Sequence, residues 1–407
     1  MDGGISRLAH YKTRAAKLIM KLLVISHKTV WRDSDSPLGY ATDGGFPFQM
    51  SALSELFDST TLAVPCLEGA RPTGLIPLQG RNLSITPLSE PRKSGWKRKF
   101  EVVLPWLLKN GSRLWHQAML SDAIHLPLPG DVGTIGLAIA HILGKPFFVR
   151  YCGNWYADRS LTERLIKAYM RRSAGGKRVM LATGGAKMAP SSDNPNLDWI
   201  FATSLTEQEL EDCACRPQPS LDQPRMIIVG RQEYAKGTHL VIRSLAELVQ
   251  EFPTVSLDVV GDGPDLNDFQ RISAELGLNG RVKFYGSLPH GQVLALLKRS
   301  SLFCFPTHSE GFPKSVLEAL ACGLPVITTP VSVLPFLIDH NQCGLILSER
   351  NARAVTDAVS SLLKDGTLYQ KMASNALRTA RGFSLEAWQE AIGNRLRSAW
   401  GPLRSNG

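Results

Sequence analysis

The amino-acid sequence predicts an α/β protein of two doubly wound domains that face each other across a cleft. Three observations predict it. The chain has 407 residues, beyond the roughly 250–300 at which a single hydrophobic core stops growing. Short apolar runs alternate with amphipathic stretches in both halves, the pattern of parallel strands with helices on both faces. Between the halves lies Arg216-Pro-Gln-Pro-Ser-Leu-Asp-Gln-Pro224, polar and proline-rich, which reads as a linker. The expected division is a loose leader over 1–19, a first domain over 20–215, the linker over 216–224, a second domain over 225–380, and a tail over 381–407. Met1 and Met20 both stand as starts.

In the first domain, apolar runs bounded by turn residues predict strands at Leu18–Ser26, Thr61–Cys66, Asn82–Thr86, Asp122–Leu126, Pro146–Tyr151, Val179–Thr183 and Trp199–Thr203. Helical periodicity falls at Phe48–Phe57, Thr134–Leu143 and Leu161–Arg172. The second domain is more regular. Its strands are Met226–Gly230, Ser256–Gly261, Val282–Gly286, Leu302–Pro306, Val326–Thr329 and Gly344–Leu347. Its helices are Thr238–Glu251, Asp265–Leu276, Gln292–Arg299, Pro313–Cys322, Ala352–Lys364 and Leu368–Ala380. The tail Ser384–Trp400 carries Leu385, Trp388, Ile392 and Leu396 on one side of a further helix.

Composition excludes the disordered, fibrous and repeat classes. Seven scattered cysteines, mostly in apolar runs, read as reduced thiols of a cytoplasmic protein. Cys213 and Cys215 lack the second pair that a zinc set needs. The apolar run Leu22–Ile25 is far short of the ~20 residues that span a membrane. Net charge is +10, and between Arg71 and Lys187 there are 19 Lys and Arg against 6 Asp and Glu. Within that stretch, Pro91–Phe100 sets five cations around Trp96 and Phe100, with Trp106 and Trp115 following. Cations among aromatics suit an anionic membrane surface, here over residues 91–115, and the protein is expected to sit peripherally on its inner face. The same composition also suits single-stranded nucleic acid or a solvated helix face. No nucleic-acid partner is expected.

The chemistry gathers in loops after strands, where doubly wound sheets bind ligands. After Leu302–Pro306 comes Thr307-His-Ser-Glu-Gly-Phe-Pro-Lys-Ser-Val-Leu-Glu-Ala-Leu-Ala-Cys-Gly323. Pro313 suits a first helical turn and Gly323 a C-terminal cap. The bare N–H groups at that helix start form an anion site suited to a diphosphate. Carboxylates beside such a site accept hydrogen bonds from hydroxyls, so Glu310 and Glu318 together suit a sugar and a ribose; taken singly they read as a solvated loop acid and a surface helix residue. Arg231 and Lys236, after Met226–Gly230, place fixed cations at the cleft mouth, suited to neutralising a departing nucleotide diphosphate, and each alone reads equally as ordinary salt bridging at a strand end. Gly261-Asp-Gly-Pro264 and Asp43-Gly-Gly45 permit close backbone approach to a ligand, and each is equally a plain turn. Asp33-Ser-Asp35 has a metal-site look but reads as a polar loop.

The segment Met226–Leu347 resembles the donor domain of the family-four (group 1) GT-B glycosyltransferases. The resemblance rests on Gly230, Arg231, Lys236, Gly237, Gly261–Pro264, Glu310–Phe312, Glu318–Ala319 and Cys322–Val326 at matching spacing. It implies the GT-B fold, two Rossmann-like domains across a cleft. It also implies retaining transfer of a sugar from a UDP-, GDP- or ADP-sugar, with no metal and no other cofactor. The acceptor would be lipid-linked or a growing cell-surface polysaccharide or glycolipid. By the resemblance, Arg231 and Lys236 bind the donor diphosphate, Glu310 the transferred sugar and Glu318 the ribose. Gly45, Gly230, Gly263, Gly311 and Phe312 approach the donor through backbone. The leaving phosphate oxygen takes the acceptor's proton, so no dedicated base is required. The tail helix around Trp388 crosses back to the first domain.

The first half matches less fully. Asp122-Ala-Ile-His125 is similar to the family's strand ending in histidine, and His125 reads equally as an acceptor-facing residue or a hydrogen-bonded strand end. Where the family has His-Gly, this chain has Cys152-Gly153, with Arg150 and Asn154 as candidate acceptor-side substitutes. Two rival functions remain at this level: a GT-B nucleotide-sugar epimerase and a non-enzymatic nucleic-acid binder.

Overall fold

The computed structural model describes residues 20–404 except 70, 73, 92–104, 158–159, 186–187 and 217–220. The expected leader, the core of the basic segment and the middle of the expected linker lie outside the described residues.

Two largely parallel sheets organise the chain. The first contains β1 (Lys21–Ile25), β2 (Val30–Arg32), β3 (Tyr40–Thr42), β4 (Ser59–Leu67), β5 (Ile76–Pro77), β6 (Leu83–Leu88), β7 (Ala123–Leu128), β8 (Phe147–Tyr151), β9 (Arg178–Thr183) and β10 (Leu197–Ile200). Its parallel body runs β6-β4-β1-β7-β8-β9-β10, and β2, β3 and β5 extend the far end of β4. The second sheet contains β11 (Arg225–Val229), β12 (Ser256–Val260), β13 (Val282–Phe284), β14 (Leu302–Phe305), β15 (Val326–Thr328) and β16 (Gly344–Ile346), in the order β13-β12-β11-β14-β15-β16. Both orders reverse direction beside their first strand. The crevices therefore open between the ends of β1 and β7 and between the ends of β11 and β14.

The helices of the first half are α1 (Phe46–Ser54), α2 (Leu107–Leu120), α3 (Asp131–Ile142), α4 (Leu161–Ser173) and α5 (Glu207–Ala214). Those that follow are α6 (Thr238–Glu251), α7 (Leu266–Glu275), α8 (His290–Lys298), α9 (Lys314–Ala321), α10 (Leu334–Ile338), α11 (Ala352–Lys364), α12 (Gly366–Ala380) and α13 (Leu385–Trp400).

Differences from the sequence expectation have physical causes. The strand expected at Trp199–Thr203 is Leu197–Ile200, because it pairs only with β9 and β9 ends opposite Ile200. β2, β3 and β5 have two or three residues each, too short to show an alternation. The helix α2 hides in the cation-rich stretch and buries Asn110, Leu114 and Ala118 at four-residue steps. The helix α5 opens with a capping box in which Thr206 and Glu209 each bond the other's backbone N–H.

The second sheet and its helices share one continuous apolar core. The first sheet separates two. One, under α2–α4, includes Trp106, Tyr151 and Trp155. The other, under α1, is completed by Leu385, Trp388, Ile392 and Leu396 of α13. Trp388 is fully buried there, so the last helix of the chain closes the core of the first sheet.

Candidate functional site

The site grows from the crevice beside β11 and β14. Gly237 has φ +85°, and a Cβ there would stand 2.4 Å from the Pro306 carbonyl. Only glycine lets the 231–237 loop lie against the end of β14. The His308 N–H then bonds the Ala235 carbonyl at 2.7 Å. Arg350 clamps the same two loops, donating to the carbonyls of Pro306 at 2.8 Å and Tyr234 at 2.7 Å. Burial lowers its pKa from the usual arginine range. These constraints place the Lys236 amine on the Glu310 carboxylate, with a second bond to the Ser309 carbonyl at 3.3 Å. Both side chains of the pair are largely shielded from solvent.

Across the cleft, residues 152–154 after β8 approach this loop. A Cβ on Gly311 would stand 2.6 Å from the Cys152 carbonyl, so the missing side chain sets the approach. Between the two loops lies a pocket of about 200 Å³ lined by Lys236, Ser309, Glu310 and Gly311 on one side. Cys152, Gly153, Asn154 and Glu163 line the other. Asn154 Oδ1 accepts from the Tyr156 N–H at 2.9 Å, which fixes its orientation. Glu163 stands in the first turn of α4 behind its cap Ser160. Sequence reasoning missed it; the Ser160-x-x-Glu163 spacing signals only a helix start. A roomier pocket, about 500 Å³, lies between α5 and α12, lined by residues such as Leu210, Ala214 and Leu377. It shares no lining residue with the smaller pocket, which holds the Lys236–Glu310 pair between loops of the two sheets.

Glu318 does not join that pocket. It is buried in α9, where Ser204 Oγ donates to it at 3.1 Å and His290 Nδ1 stands 3.7 Å away. The other ring nitrogen of His290 lies 3.4 Å from Glu209 Oε1. Phe48 of α1 packs on the same imidazole, with ring centroids 5.4 Å apart. Burial lowers the His290 pKa, but the carboxylates of Glu209 and Glu318 outweigh it and the net direction is up. Burial likewise raises Glu209, but His290 and Thr206 outweigh it and the net direction is down. This chain of polar groups ties α5, α8 and α9 together, and no sequence motif announced it.

Arg231 points elsewhere, paired with Glu233 at 2.8 Å and 69% exposed. A Cβ on Gly263 would meet the Gln232 carbonyl at 2.3 Å, and one on Gly261 the Gly230 carbonyl at 2.0 Å. These glycines interlock the loops after β11 and β12, and Gln232 bonds the carbonyls of Gly230 at 2.8 Å and Val260 at 3.1 Å. Phe312 turns its ring into the core. Gly45 caps α1 and has the Lys314 amine against it. His125 is fully buried, stacked on Phe148 at 3.9 Å, with Nδ1 3.3 Å from the Phe148 carbonyl oxygen. Burial and the Arg150 charge hold its pKa well below the ordinary value, so it stays neutral. Arg150 is buried with its guanidinium 5.0 Å from the Trp388 ring centre. Of the three expected acceptor-side residues, only Asn154 lines the pocket with Glu310.

Comparison with known proteins fits this geometry. Residues 216–379 match the family model described as glycosyl transferases group 1. The D-inositol 3-phosphate glycosyltransferase of Corynebacterium jeikeium is 30% identical over 171 residues, 40% of this chain and 41% of that protein. The alpha-D-kanosaminyltransferase of Streptomyces kanamyceticus is 25% identical over 291 residues, 67% of this chain and 75% of that protein. The chain thus spans about two fifths of the first relative's length and three quarters of the second's. The crystal structure of Anabaena HepE with UDP and glucose superposes with a TM-score of 0.67 at 16% identity, covering 93% of this chain and all of that one. The chain accordingly has the GT-B fold, and its residues 216–379 match the group 1 glycosyl transferases, a family of enzymes.

Proposed function

We propose that the protein is a retaining glycosyltransferase that moves a sugar from a nucleotide-sugar donor to an acceptor. The acceptor is lipid-linked or a growing cell-surface polysaccharide or glycolipid. One observation carries the reading: the shielded Lys236–Glu310 pair opens on a pocket whose far wall, Cys152–Asn154, comes from the other sheet. A carboxylate in such a place accepts bonds from sugar hydroxyls, and the lysine neutralises charge on the leaving diphosphate. Arg231 turns from Glu233 to join it, and the N–H groups of Gly311 and Phe312 complete the donor cradle. Glu318 takes the ribose by exchanging its bonds to Ser204 and His290 for ribose hydroxyls. The leaving phosphate oxygen accepts the acceptor's proton on the same face of the sugar. HepE is bound to UDP and glucose in its crystal structure, which makes UDP-glucose the first donor to try.

The acceptor's setting is read from α2. Leu108, Trp115 and Met119 are 77%, 40% and 54% exposed along one side, beside the exposed Lys109 and Arg113. An apolar ridge with cations at its edge suits an anionic bilayer surface, and no described helix is long and apolar enough to cross one. Sedimentation with anionic vesicles at low salt tests that contact, and protein left in the supernatant removes it. The transferase reading is tested by nucleotide release from UDP-, GDP- and ADP-sugars, with and without glycan acceptors, for wild type and Glu310→Ala. Release by wild type and loss in the variant is expected. Silence with every donor ends the proposal.

A further inference from the structure

The pocket between the two loops carries a carboxylate on each wall, and the second of them has no part in the donor cradle. Glu310 stands on one side with the Lys236 amine on it. Glu163 stands on the other, beside Asn154. The first turn of α4 brings Glu163 there, its backbone N–H bonded to the Ser160 hydroxyl at 3.2 Å. Asn154 Oδ1 accepts from the Tyr156 N–H at 2.9 Å, so the amide NH2 is the part of Asn154 left to meet a ligand.

Size and charge say what enters. At about 200 Å³ the pocket is smaller than the roughly 300–1,000 Å³ that drug-sized ligands fill, so it takes one ring rather than a whole nucleotide sugar. Its charged lining is two carboxylates and one ammonium. That balance suits an uncharged ring better than a phosphate. Glu163 as a carboxylate accepts hydrogen bonds and donates none, whereas the Asn154 NH2 donates and accepts none. A hydroxyl does both, so it meets the two at once. A carboxylate on the ring would meet only the amide and would face Glu163 at like charge, the arrangement by which a site rejects a wrong partner. Lys236 does not relieve it, because its amine is bound to Glu310 and to the Ser309 carbonyl.

We propose that Glu163 and Asn154 read a hydroxyl of the transferred sugar on the edge away from Glu310, and that they make the pocket selective for neutral hexoses over uronic acids. That the ring arrives on a nucleotide rests on the transferase reading. The test is calorimetric titration of the full chain with UDP-glucose, GDP-mannose and ADP-glucose. Whichever binds is then compared with the uronate carried on the same nucleotide: UDP-glucuronate, GDP-mannuronate or ADP-glucuronate. Wild type is expected to bind the neutral sugar at least about tenfold more tightly than the uronate. Glu163→Gln keeps the shape, removes the charge and adds a donor, so the uronate is expected to gain and the preference to shrink by about tenfold. Glu163→Leu and Asn154→Ala are each expected to weaken the neutral sugar by about tenfold. The bare nucleoside diphosphate is expected to bind wild type and variants alike, which shows that the variants are folded and that the effect lies at the sugar. Equal binding of the two sugars by wild type, or a preference that Glu163→Gln leaves intact, overturns the inference while the transferase reading stands. Loss of the bare diphosphate by every variant also overturns it, because these side chains then act on the nucleotide or the fold. Failure of all three neutral-sugar nucleotides to bind wild type is a different result: it counts against the transferase reading, and the inference falls with it.

Discussion

In the second half of the chain the loops around the pocket are set by close backbone approaches at glycines; in the first half Arg150 is set against Trp388, a side chain from far away in sequence. Gly237, Gly261, Gly263 and Gly311 each sit where a Cβ would collide with a carbonyl or main-chain atom of another loop. Such positions leave a mark in the sequence, because one residue type alone satisfies them. On the first side, Arg150, Asn154 and Glu163 take their roles from neighbours such as Trp388 and Glu310. The cores differ in the same sense. The second sheet has a single core, whereas one face of the first is completed by α13.

The largest expected effect tests that borrowed core. Trp388→Ala removes a fully buried indole and is expected to cost about 3–5 kcal/mol, measured by urea unfolding. Because Trp388 belongs to the first sheet's core, the variant is expected to unfold that half ahead of the second. A single unchanged transition would show that the two halves are one cooperative unit and would break the comparison.

Next is the donor side. Lys236→Ala removes a fixed cation aimed at the pocket and is expected to lower kcat for nucleotide release by about 10²–10³. Asn154→Ala removes one hydrogen-bonding group from the opposite wall, an effect expected to stay within about tenfold. Similar losses in both would mean that the two walls contribute equally to the chemistry. Gly311→Ala is expected to fall between them. Its methyl group would press on the Cys152 carbonyl and hold the walls apart, an overpacking cost of about 1–3 kcal/mol. The readout is a raised KM for the donor with a smaller change in thermal stability.

Legibility followed the same division. The alternation of apolar runs gave the six strands of the second sheet, and α6 and α11 to the residue, because each packs one face on a local core. It missed α2, where exposed cations and aromatics obscure the buried stripe of Asn110, Leu114 and Ala118. Lys236 and Glu310 were legible as separate candidates, and the structure brings them into contact. Glu318 was legible as a candidate donor-site carboxylate, but neither its burial nor its partners were: Ser204 is 114 positions away, and His290 arrives from another helix start. Arg350 carried no signal and Glu163 only that of a helix start, since carbonyls and pockets are not written in sequence.

The smallest expected effect concerns the polar chain through His290, which joins what the pocket keeps apart. Its imidazole is faced by Glu209 and Cys213 of α5, Glu318 of α9 and the ring of Phe48 on α1. The His290 pKa is raised above its ordinary 6.5 in the folded protein, so its contribution is complete below that value and fades as pH rises through the folded pKa. Glu209 is lowered below its ordinary 4.5, so its contribution is complete above that value and fades as pH falls through the folded pKa. The two overlap fully between 4.5 and 6.5. His290→Gln is therefore expected to be less stable than wild type by up to about 1 kcal/mol in that window, the scale of a partly exposed ion pair. The gap should narrow on the alkaline side. Urea unfolding of both proteins across pH 5 to 9 reads it directly (about one unit either side of an ordinary histidine and beyond). A difference that stays constant with pH would make His290 a packing residue for Phe48 and Glu318 rather than a charged tie. Nucleotide added at pH 6 sharpens the point: if the ribose takes Glu318 from Ser204 and His290, the gap between the two proteins shrinks when the donor site fills.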